Sequence, residues 1–311
     1  MPSRKRNAHL YDPRAGDEAV RVEPLKLGRK VWTPPRTNYF SIVWIQKGNG
    51  VFWADTLRYI FEASSLLFFV PYQQIRLEPT KAVQGEVIRF HANFLCVETF
   101  HAEVGCAGTL FNDPYGTPAV PLDDAMQAEM QRLVKHLHSE QAERDLAFRE
   151  VMLAHMKVLL VLATRLKASP AKGCAPSPHA TRHPVLIELK ELIEQHYHTL
   201  HAPADYAKLL HITPKTLGRI VREQLGTTPT ELIRNRILTH AKWQILHTLR
   251  PVKEIARELG YDDELYFSRL FKKATGYSPT FFREFETEIR GGSNLSMDSA
   301  QASIPMSPSQ G

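Results

Sequence analysis

The sequence predicts an α+β chain of several domains: a strand-rich N-terminal half that forms a β-barrel, a helical connection, and an all-α C-terminal domain of two helix-turn-helix units. Three observations predict this. Aromatic and β-branched residues dominate short segments between about residues 20 and 120. Apolar residues then recur at spacings of three and four as far as residue 167. After Pro184, helical segments are separated by Gly, Pro and Thr, which are typical of helix ends.

Length and composition give the domain boundaries. A chain of 311 residues is long enough for two domains of ordinary size. The segment from Lys167 to Pro184 holds four prolines among small and polar residues, which predicts a linker. Both chain ends are poor in large apolar residues, which predicts disorder. The predicted division is a disordered N-terminus (1–19), a strand-rich domain (20–120), a helical connection (121–168), a linker (169–183), a C-terminal domain (184–289) and a disordered tail (290–311).

Short strands alternate with turns in the strand-rich domain. Tyr39–Gln46 and Leu66–Val70 are rich in aromatic and β-branched residues, and Val87–Phe94 has the same character. Lys47–Gly50 (KGNG) predicts a hairpin turn, because Gly and Asn accept the positive φ that such turns require. Many short strands with closely spaced turns indicate a sandwich or a barrel.

Two amphipathic helices are predicted in the helical connection. Their apolar stripes could pack on the strands of the same chain or on a second copy of the chain, and the sequence leaves both arrangements open. The first stripe consists of Met126, Met130, Leu133 and Leu137. The second consists of Phe148, Met152, His155, Leu159, Leu162 and Leu166.

The C-terminal domain begins with a first helix-turn-helix. An amphipathic helix, Val185–His198, precedes two further predicted helices, Pro203–Leu210 and Pro214–Leu225. Thr213 is a good N-cap for the latter, because its hydroxyl can accept from an otherwise unpaired amide. Gly226 suits the left-handed conformation at the end of that helix.

The same pattern repeats after a long predicted helix, Thr230–Leu249, which Pro251 prevents from continuing. Val252–Leu259 is a short predicted helix, and Asp263–Thr275 is a longer one that follows a tight turn. Pro279 begins one more. Each half is therefore a predicted helix-turn-helix, whose second helix has the form that fits the major groove of DNA.

Positive charge is concentrated in the second helix of each unit. The formal net charge of +6 is modest and only permits an anionic partner. However, Pro214–Arg222 and Leu265–Lys273 each contain three basic residues and no acidic one, and Ile233–Ile237 adds Arg234 and Arg236. One such run is usually a solvated helix face, but two runs that both follow a predicted turn indicate double-stranded DNA as a partner.

These features resemble the DNA-binding domain of the AraC/XylS family of bacterial transcription regulators. Over Val252–Arg283 (VKEIARELGYDDELYFSRLFKKATGYSPTFFR), the Ile-Ala, Gly-Tyr, Tyr-Phe-Ser-Arg-Leu-Phe-Lys-Lys, Gly-Tyr-Ser-Pro and Phe-Arg elements fall at the family's spacings. Gly226–Pro229 and Arg236–Lys242 also fit. The resemblance implies a long helix that joins two DNA-reading units, sequence-specific regulation of transcription, activation more often than repression, and RNA polymerase as a partner.

The resemblance also assigns DNA-contacting positions. Those facing bases are Lys215, Gly218 and Arg219 in the first unit and Glu264, Leu265, Ser268 and Arg269 in the second. Those facing phosphates are Arg222, Arg234, Lys272 and Lys273. Arg219 and Arg269 suit guanine, although Arg269 could position its helix through phosphates instead. Gly218 replaces a long polar side chain, so the first unit is expected to read fewer bases. Core positions are expected to be Leu217, Ile220, Ile255, Ala256, Leu259, Leu270 and Phe271.

The strand-rich domain resembles the cupin-like jelly roll that often precedes this DNA-binding domain. The likeness rests on the Lys47–Gly50 turn, the hairpin after it and the strand end at Phe69–Tyr72. It implies a small effector bound in the barrel, or a part in forming a homodimer. Aromatic residues at strand spacing are usually plain core, and the candidate effector-pocket residues among them are Trp44, Trp53, Phe69, Tyr72 and Phe90.

Two alternative classes fit the sequence less well. A metal-dependent cupin enzyme needs clustered histidines with a carboxylate, but His136 and His138 point to different sides of a predicted helix, and His91 and His101 stand alone. The sequence contains no nucleophile elbow, Gly-rich phosphate loop or paired-Cys motif, and we therefore expect no enzyme, metal or cofactor. A non-specific architectural DNA-binding protein would not require two helix-turn-helix units and a separate N-terminal domain.

The sequence also predicts a soluble cytoplasmic location. Its three cysteines form no CxxC motif, which fits a reducing compartment. Met1–Arg6 lacks the apolar run of a signal peptide, and the longest apolar stretch, Val158–Ala163, is too short to cross a bilayer. No membrane partner is expected.

Overall fold

The computed structural model describes residues 9–95, 110–111, 117–168 and 183–289 of the chain. Its N-terminal domain (residues 9–168) contains strands that pair antiparallel in two sheets. The strands are β1 (Val20–Gly28), β2 (Phe40–Lys47), β3 (Gly50–Ala54), β4 (Leu57–Phe61), β5 (Ser65–Phe69), β6 (Ile75–Pro79), β7 (Val83–Phe90) and β8 (Ala119–Pro121). The first sheet has the order β1-β7-β2-β5-β8, and the second has the order β4-β3-β6.

Strand β2 is covered on both faces. Val43 and Ile45 lie in the apolar cluster between the two sheets, whereas Ile42 and Trp44 lie in a second cluster with the helical connection. None of the four side chains is exposed. A strand buried on both faces has an almost continuous apolar sequence, which is why Tyr39–Gln46 lacks the alternation of a half-buried strand. The strands predicted over Tyr39–Gln46 and Leu66–Val70 are confirmed within one residue at each end.

The chain changes sheets at Gly48. Strand β2 pairs with β5 and β7, whereas β3 pairs with β4 and β6, so the hairpin predicted at Lys47–Gly50 is wrong. Gly48 has a φ of 95° that turns the chain, and a Cβ on Gly50 would lie 2.3 Å from the carbonyl oxygen of Glu78. No strand ladder joins the two sheets among the described residues, so the predicted β-barrel is corrected to two sheets that pack face to face, while the cupin-like character stays a prediction.

The helical connection packs on the first sheet. It consists of α1 (Asp124–Glu143) and α2 (Phe148–Ala168), and Asp123 caps α1 by accepting from the Met126 amide at 2.8 Å. Leu137 and Leu159, one from each predicted stripe, are fully buried in the cluster that contains Trp44. The stripes therefore pack within the chain. Within the described ranges, no helix combines the length and apolar character needed to span a membrane.

The C-terminal domain (residues 183–289) is entirely helical. Its helices are α3 (Pro184–His196), α4 (Pro203–Leu209), α5 (Pro214–Leu225), α6 (Pro229–His247), α7 (Val252–Glu258), α8 (Glu264–Thr275) and α9 (Pro279–Ile289). The six helices with predicted bounds at both ends are confirmed within two residues. The predicted linker lies outside the described residues except for His183.

The segment before β1 differs from the prediction of disorder over residues 1–19, of which residues 1–8 lie outside the described residues. Leu10 is buried in the apolar cluster of the C-terminal domain. The Tyr11 amide donates to Asn38 Oδ1 at 2.7 Å, and a 3-10 turn follows at Pro13–Ala15. A segment with few apolar residues is ordered here because both of these residues are buried against the rest of the chain.

A buried carboxylate joins the two domains. Glu286 of α9 is 2% exposed. It accepts hydrogen bonds from Asn38 Nδ2 at 3.2 Å and from the Tyr72 hydroxyl. His91 Nε2 lies 3.4 Å from its other oxygen. Because His91 Nδ1 accepts from the Asn93 amide at 3.1 Å, its Nε2 is left as the donor to Glu286. Three polar groups of the N-terminal domain thus converge on one carboxylate of the C-terminal domain.

We expect Glu286→Ala to lower the free energy of unfolding by about 2–3 kcal/mol, because it leaves buried donors without an acceptor. Urea denaturation of the full chain, followed by tryptophan fluorescence, measures this. Glu284→Ala, on the exposed face of the same helix, is the matched control and should change stability by less than about 0.5 kcal/mol. Equal losses in the two variants would contradict the role assigned to Glu286.

Candidate nucleic-acid interface

The first helix-turn-helix unit consists of α4 and α5. Its turn ends at Thr213, whose hydroxyl accepts from the Thr216 amide at 3.1 Å and so caps α5. Pro214 is the first residue of the helix, where no amide donor is required. Helix α5 ends at Gly226, which has a φ of 64°. Local sequence therefore fixes both ends of the helix that would enter the groove.

The second unit, α7 and α8, has the same design. Asp263 accepts from the amides of Leu265 at 2.8 Å and Tyr266 at 3.1 Å, and this cap begins α8. The turn contains Gly260, which has a φ of 76°, and a Cβ there would lie 2.7 Å from the carbonyl oxygen of His198. Helix α8 ends at Gly276, which also has a positive φ. In both units, a side-chain N-cap begins the second helix and a glycine with positive φ ends it.

One apolar core holds both units. Leu217 of α5, Ile237 and Ala241 of α6, and Phe267 and Phe271 of α8 belong to a single buried cluster. Helix α6 contains 19 residues and is therefore about 28 Å long. The two recognition helices, α5 and α8, are consequently fixed against the same central helix.

Polar contacts also fix α6. Arg236 Nε donates to both carboxylate oxygens of Glu194 at 2.9 and 2.8 Å, and its guanidinium lies 4.1 Å from the centre of the Tyr197 ring. The Tyr197 hydroxyl lies 3.1 Å from His240 Nδ1. Burial lowers the pKa of His240, and the nearby Arg236 lowers it further. Arg236, which the sequence counted among the cations facing DNA, is only 11% exposed and joins α3 to α6 instead.

The predicted base-facing residues lie on the exposed sides of α5 and α8. Lys215 and Arg219 are exposed on α5, and a Cβ on Gly218 would meet no atom within 4 Å. On α8, Leu265 is 73% exposed and the Arg269 side chain is 75% exposed. Glu264 and Ser268 are half-buried.

Both candidate base-contacting arginines form only weak ion pairs in the chain itself. Arg219 Nη1 lies 3.1 Å from Glu223 Oε2, one turn along α5. Arg269 Nη2 lies 3.9 Å from Asp263 Oδ2. Exposed pairs of this kind contribute about 0–1 kcal/mol, so they compete little with a bidentate contact to guanine.

Known proteins are similar to this chain, above all in the C-terminal domain. A family model described as a helix-turn-helix domain matches residues 206–284. The arabinose operon regulatory protein of Salmonella typhimurium is 38% identical over 80 residues, which are 26% of this chain and 28% of that protein. The transcriptional activator RhaR of Cronobacter sakazakii is 21% identical over 249 residues, which cover 79% of this chain and 84% of RhaR. A crystal structure of ToxT from Vibrio cholerae O395 aligns with 88% of this chain and 99% of its own, at 14% identity and a TM-score of 0.35.

Residues 206–284 thus match a helix-turn-helix domain, and the chain is similar to regulators of the AraC/XylS type. The resemblance found in Val252–Arg283 is thereby confirmed, and the relatives named above are transcription regulators rather than enzymes. The chain matches little more than a quarter of the length of the arabinose regulator.

Three of the four predicted phosphate contacts, Arg222, Lys272 and Lys273, are exposed on α5 and α8, whereas Arg234 of α6 is half-buried. Arg234 and Lys273 also line a cavity between the two domains, which we call the interdomain cavity. Leu270, expected in the core, lines the same cavity and is only partly buried, whereas the other six predicted core residues of the two units are buried.

The aromatic residues proposed for an effector pocket are spread over different environments. Trp44, Phe69 and Phe90 are fully buried in the apolar clusters of the N-terminal domain. The guanidinium of Arg76 lies 5.0 Å from the centre of the Trp53 ring. Of the five, Tyr72 is the one that lines the interdomain cavity. The structure therefore does not bring these five side chains together.

We expect Asp263→Ala to destabilise the C-terminal domain by about 1–2 kcal/mol, because two amides at the start of α8 lose their acceptor. The measurement is urea unfolding monitored by far-UV circular dichroism. Asp262→Ala removes the same charge at the adjacent exposed position and serves as the control. A loss as large in Asp262→Ala would show that charge, rather than capping, determines the effect.

Proposed function

We propose that the chain is a sequence-specific transcription regulator of the AraC/XylS type, which inserts α5 and α8 into successive major grooves of double-stranded DNA. The observation that carries the proposal is the attachment of two capped recognition helices to one apolar core. Successive major grooves on one side of DNA are about 34 Å apart. Two helices fixed against an α6 of about 28 Å suit that spacing.

The proposed base contacts are those the family resemblance assigns. Lys215 and Arg219 act from α5, where Gly218 contributes no side chain. Arg269 donates two hydrogen bonds to guanine, and exposed Leu265 packs on a thymine methyl group, an apolar contact available in the major groove. Glu264 and Ser268 are the remaining proposed base contacts. Arg222, Arg234, Lys272 and Lys273 are proposed to hold the phosphate backbone, and the exposure of Arg222, Lys272 and Lys273 supports this.

Activation is the proposed outcome, because RhaR is named an activator. The proposal includes contact with RNA polymerase, formation of a homodimer, a cytoplasmic location and control by a small-molecule effector. The burial of Trp44, Phe69 and Phe90 disfavours an effector site inside the N-terminal domain.

Selection of genomic fragments by the purified chain, followed by sequencing of the bound pool, tests the proposal. We expect one enriched motif with two blocks about 10 base pairs apart. A bound pool without a motif, released evenly as salt rises, would indicate non-specific architectural binding instead.

Arg269→Ala should weaken binding to the selected site by about 1–3 kcal/mol and relax the preference at one base pair. Fluorescence anisotropy on the selected site and on a set of single-base variants measures both effects. Arg132→Ala, which removes an exposed cation from α1 in the other domain, is the matched control and should leave affinity unchanged. Uniform weakening on every sequence would place Arg269 among the phosphate contacts.

A further inference from the structure

Two histidines face each other across the helical connection. His136 of α1 and His155 of α2 lie with 4.9 Å between their ring centres and 58° between their ring planes. The apolar core beneath them fixes this spacing, because Leu137 and Met156, each the next residue along its helix, are fully buried. The packing of α1 on α2 therefore holds the two imidazoles side by side.

The distance between the rings suits two imidazoles on one metal ion. A bond from Zn²⁺ to an imidazole nitrogen is about 2.0–2.1 Å long, and tetrahedral coordination sets about 109° between two such bonds. These values place the centres of the two rings about 5 Å apart, close to the 4.9 Å of His136 and His155. Turning a ring about its Cβ–Cγ bond aims a nitrogen at the ion and leaves the ring centre almost in place. An ion between the rings thus requires little movement of either helix.

The ring nitrogens of both histidines are available to an ion. Within the described part of the chain, neither imidazole takes part in a hydrogen bond or an ion pair. His138 on the same helix differs, because its Nε2 lies 3.1 Å from Glu86 Oε2. His136 is exposed and His155 is half-buried, so an ion reaches the pair from solvent.

A carboxylate adds negative charge beside the pair. Glu140 follows His136 by four residues, a spacing that puts two side chains on one face of a helix. Burial lowers the pKa of His155 and His136 lowers it further, whereas Glu140 acts on His155 in the opposite direction. Across the described ranges, no three His, Cys, Asp or Glu side chains are grouped closely enough to enclose a metal. The pair therefore forms an open site, in which water fills the remaining positions and Glu140 attracts the ion.

We propose that His136 and His155 bind one divalent transition-metal ion of the zinc, nickel and copper class, which joins α1 to α2. Imidazole nitrogen is a preferred ligand of these ions, whereas calcium and magnesium prefer oxygen. The proposal revises the expectation of no metal, which compared His136 with His138 on the same helix. The site does not rest on the proposed function in transcription, and it is tested without DNA.

Isothermal titration of Zn²⁺ into the metal-free full chain measures the affinity of the site. We expect one ion per chain that is bound at least about tenfold more weakly in His136→Gln, because one of the two protein ligands is lost. His138→Gln is the matched control, since it removes a histidine of the same helix that contacts Glu86 instead. Its Kd should equal that of the parent.

Cu²⁺ identifies the ligands directly, because pulsed electron paramagnetic resonance counts the imidazoles on a bound Cu²⁺ ion. We expect two imidazoles in the parent and in His138→Gln, and one in His136→Gln and in His155→Gln. The exposed position of His136 keeps the apolar core intact in His136→Gln. That variant decides the test if His155→Gln loses its cooperative thermal unfolding.

An ion that joins two helices also stabilises the folded chain. With free Zn²⁺ at about 100 times the Kd of the parent, we expect the midpoint of thermal unfolding to rise by about 5 °C. The rise should be no more than about half as large in His136→Gln, whose weaker site is less fully occupied. His138→Gln should show the full rise.

The proposal is overturned if His136→Gln binds Zn²⁺ as tightly as the parent does. It is also overturned if His138→Gln weakens binding as much as His136→Gln, because the ion would then lie at Glu86. Failure of the proposed function looks different: the chain would select no DNA motif while the metal results stood.

Discussion

Helix α6 belongs to the cores of both helix-turn-helix units, and the arrangement of the C-terminal domain depends on this shared packing. Ile237 and Ala241 lie in the same buried cluster as Leu217 of α5 and Phe267 of α8. Protein interiors are close-packed, so neither recognition helix can move far without disturbing that cluster. The capping residues Thr213 and Asp263 fix where each recognition helix begins, and the core fixes where each helix sits. Together they hold exposed Arg219 and Arg269 on a scaffold of defined spacing.

The boundary between the domains is more mixed in character. The polar contacts of Glu286 converge there, Leu10 and Tyr72 join the apolar cluster of the C-terminal domain, and the interdomain cavity lies beside them. Interfaces between domains of one chain are commonly more polar than a domain core. The core of the C-terminal domain is close-packed, whereas the boundary combines buried polar contacts with a cavity.

The sequence predicted the helices of the C-terminal domain well, because helix ends are encoded locally. Thr213, Gly226, Asp263 and Gly276 act on residues within one turn of themselves, and each marks a helix end in the structure. The exposure of Lys215 and Arg269 followed from the same periodicity. Arg236 was misjudged because its partners, Glu194 and Tyr197, lie on another helix, and no local pattern identifies them.

The N-terminal domain was harder to predict for the same reason. Strand content is visible in composition, but the pairing of β2 with β5 and β7 is a long-range choice that the Lys47–Gly50 turn does not reveal. The interdomain cavity could not be predicted at all. Asp55 and Lys242 are far apart in sequence and come close only when the two domains dock.

Helix α9 follows the second recognition helix directly, and its Phe282 packs on Phe271 of α8 at 5.3 Å between ring centres. The same helix carries Glu286 to the N-terminal domain. If DNA favours one docking of the domains, linkage requires that docking to favour DNA by an equal factor. A molecule bound to DNA and a molecule free in solution would then differ in how firmly Asn38 and Tyr72 hold Glu286. DNA itself would act as an effector of the N-terminal domain.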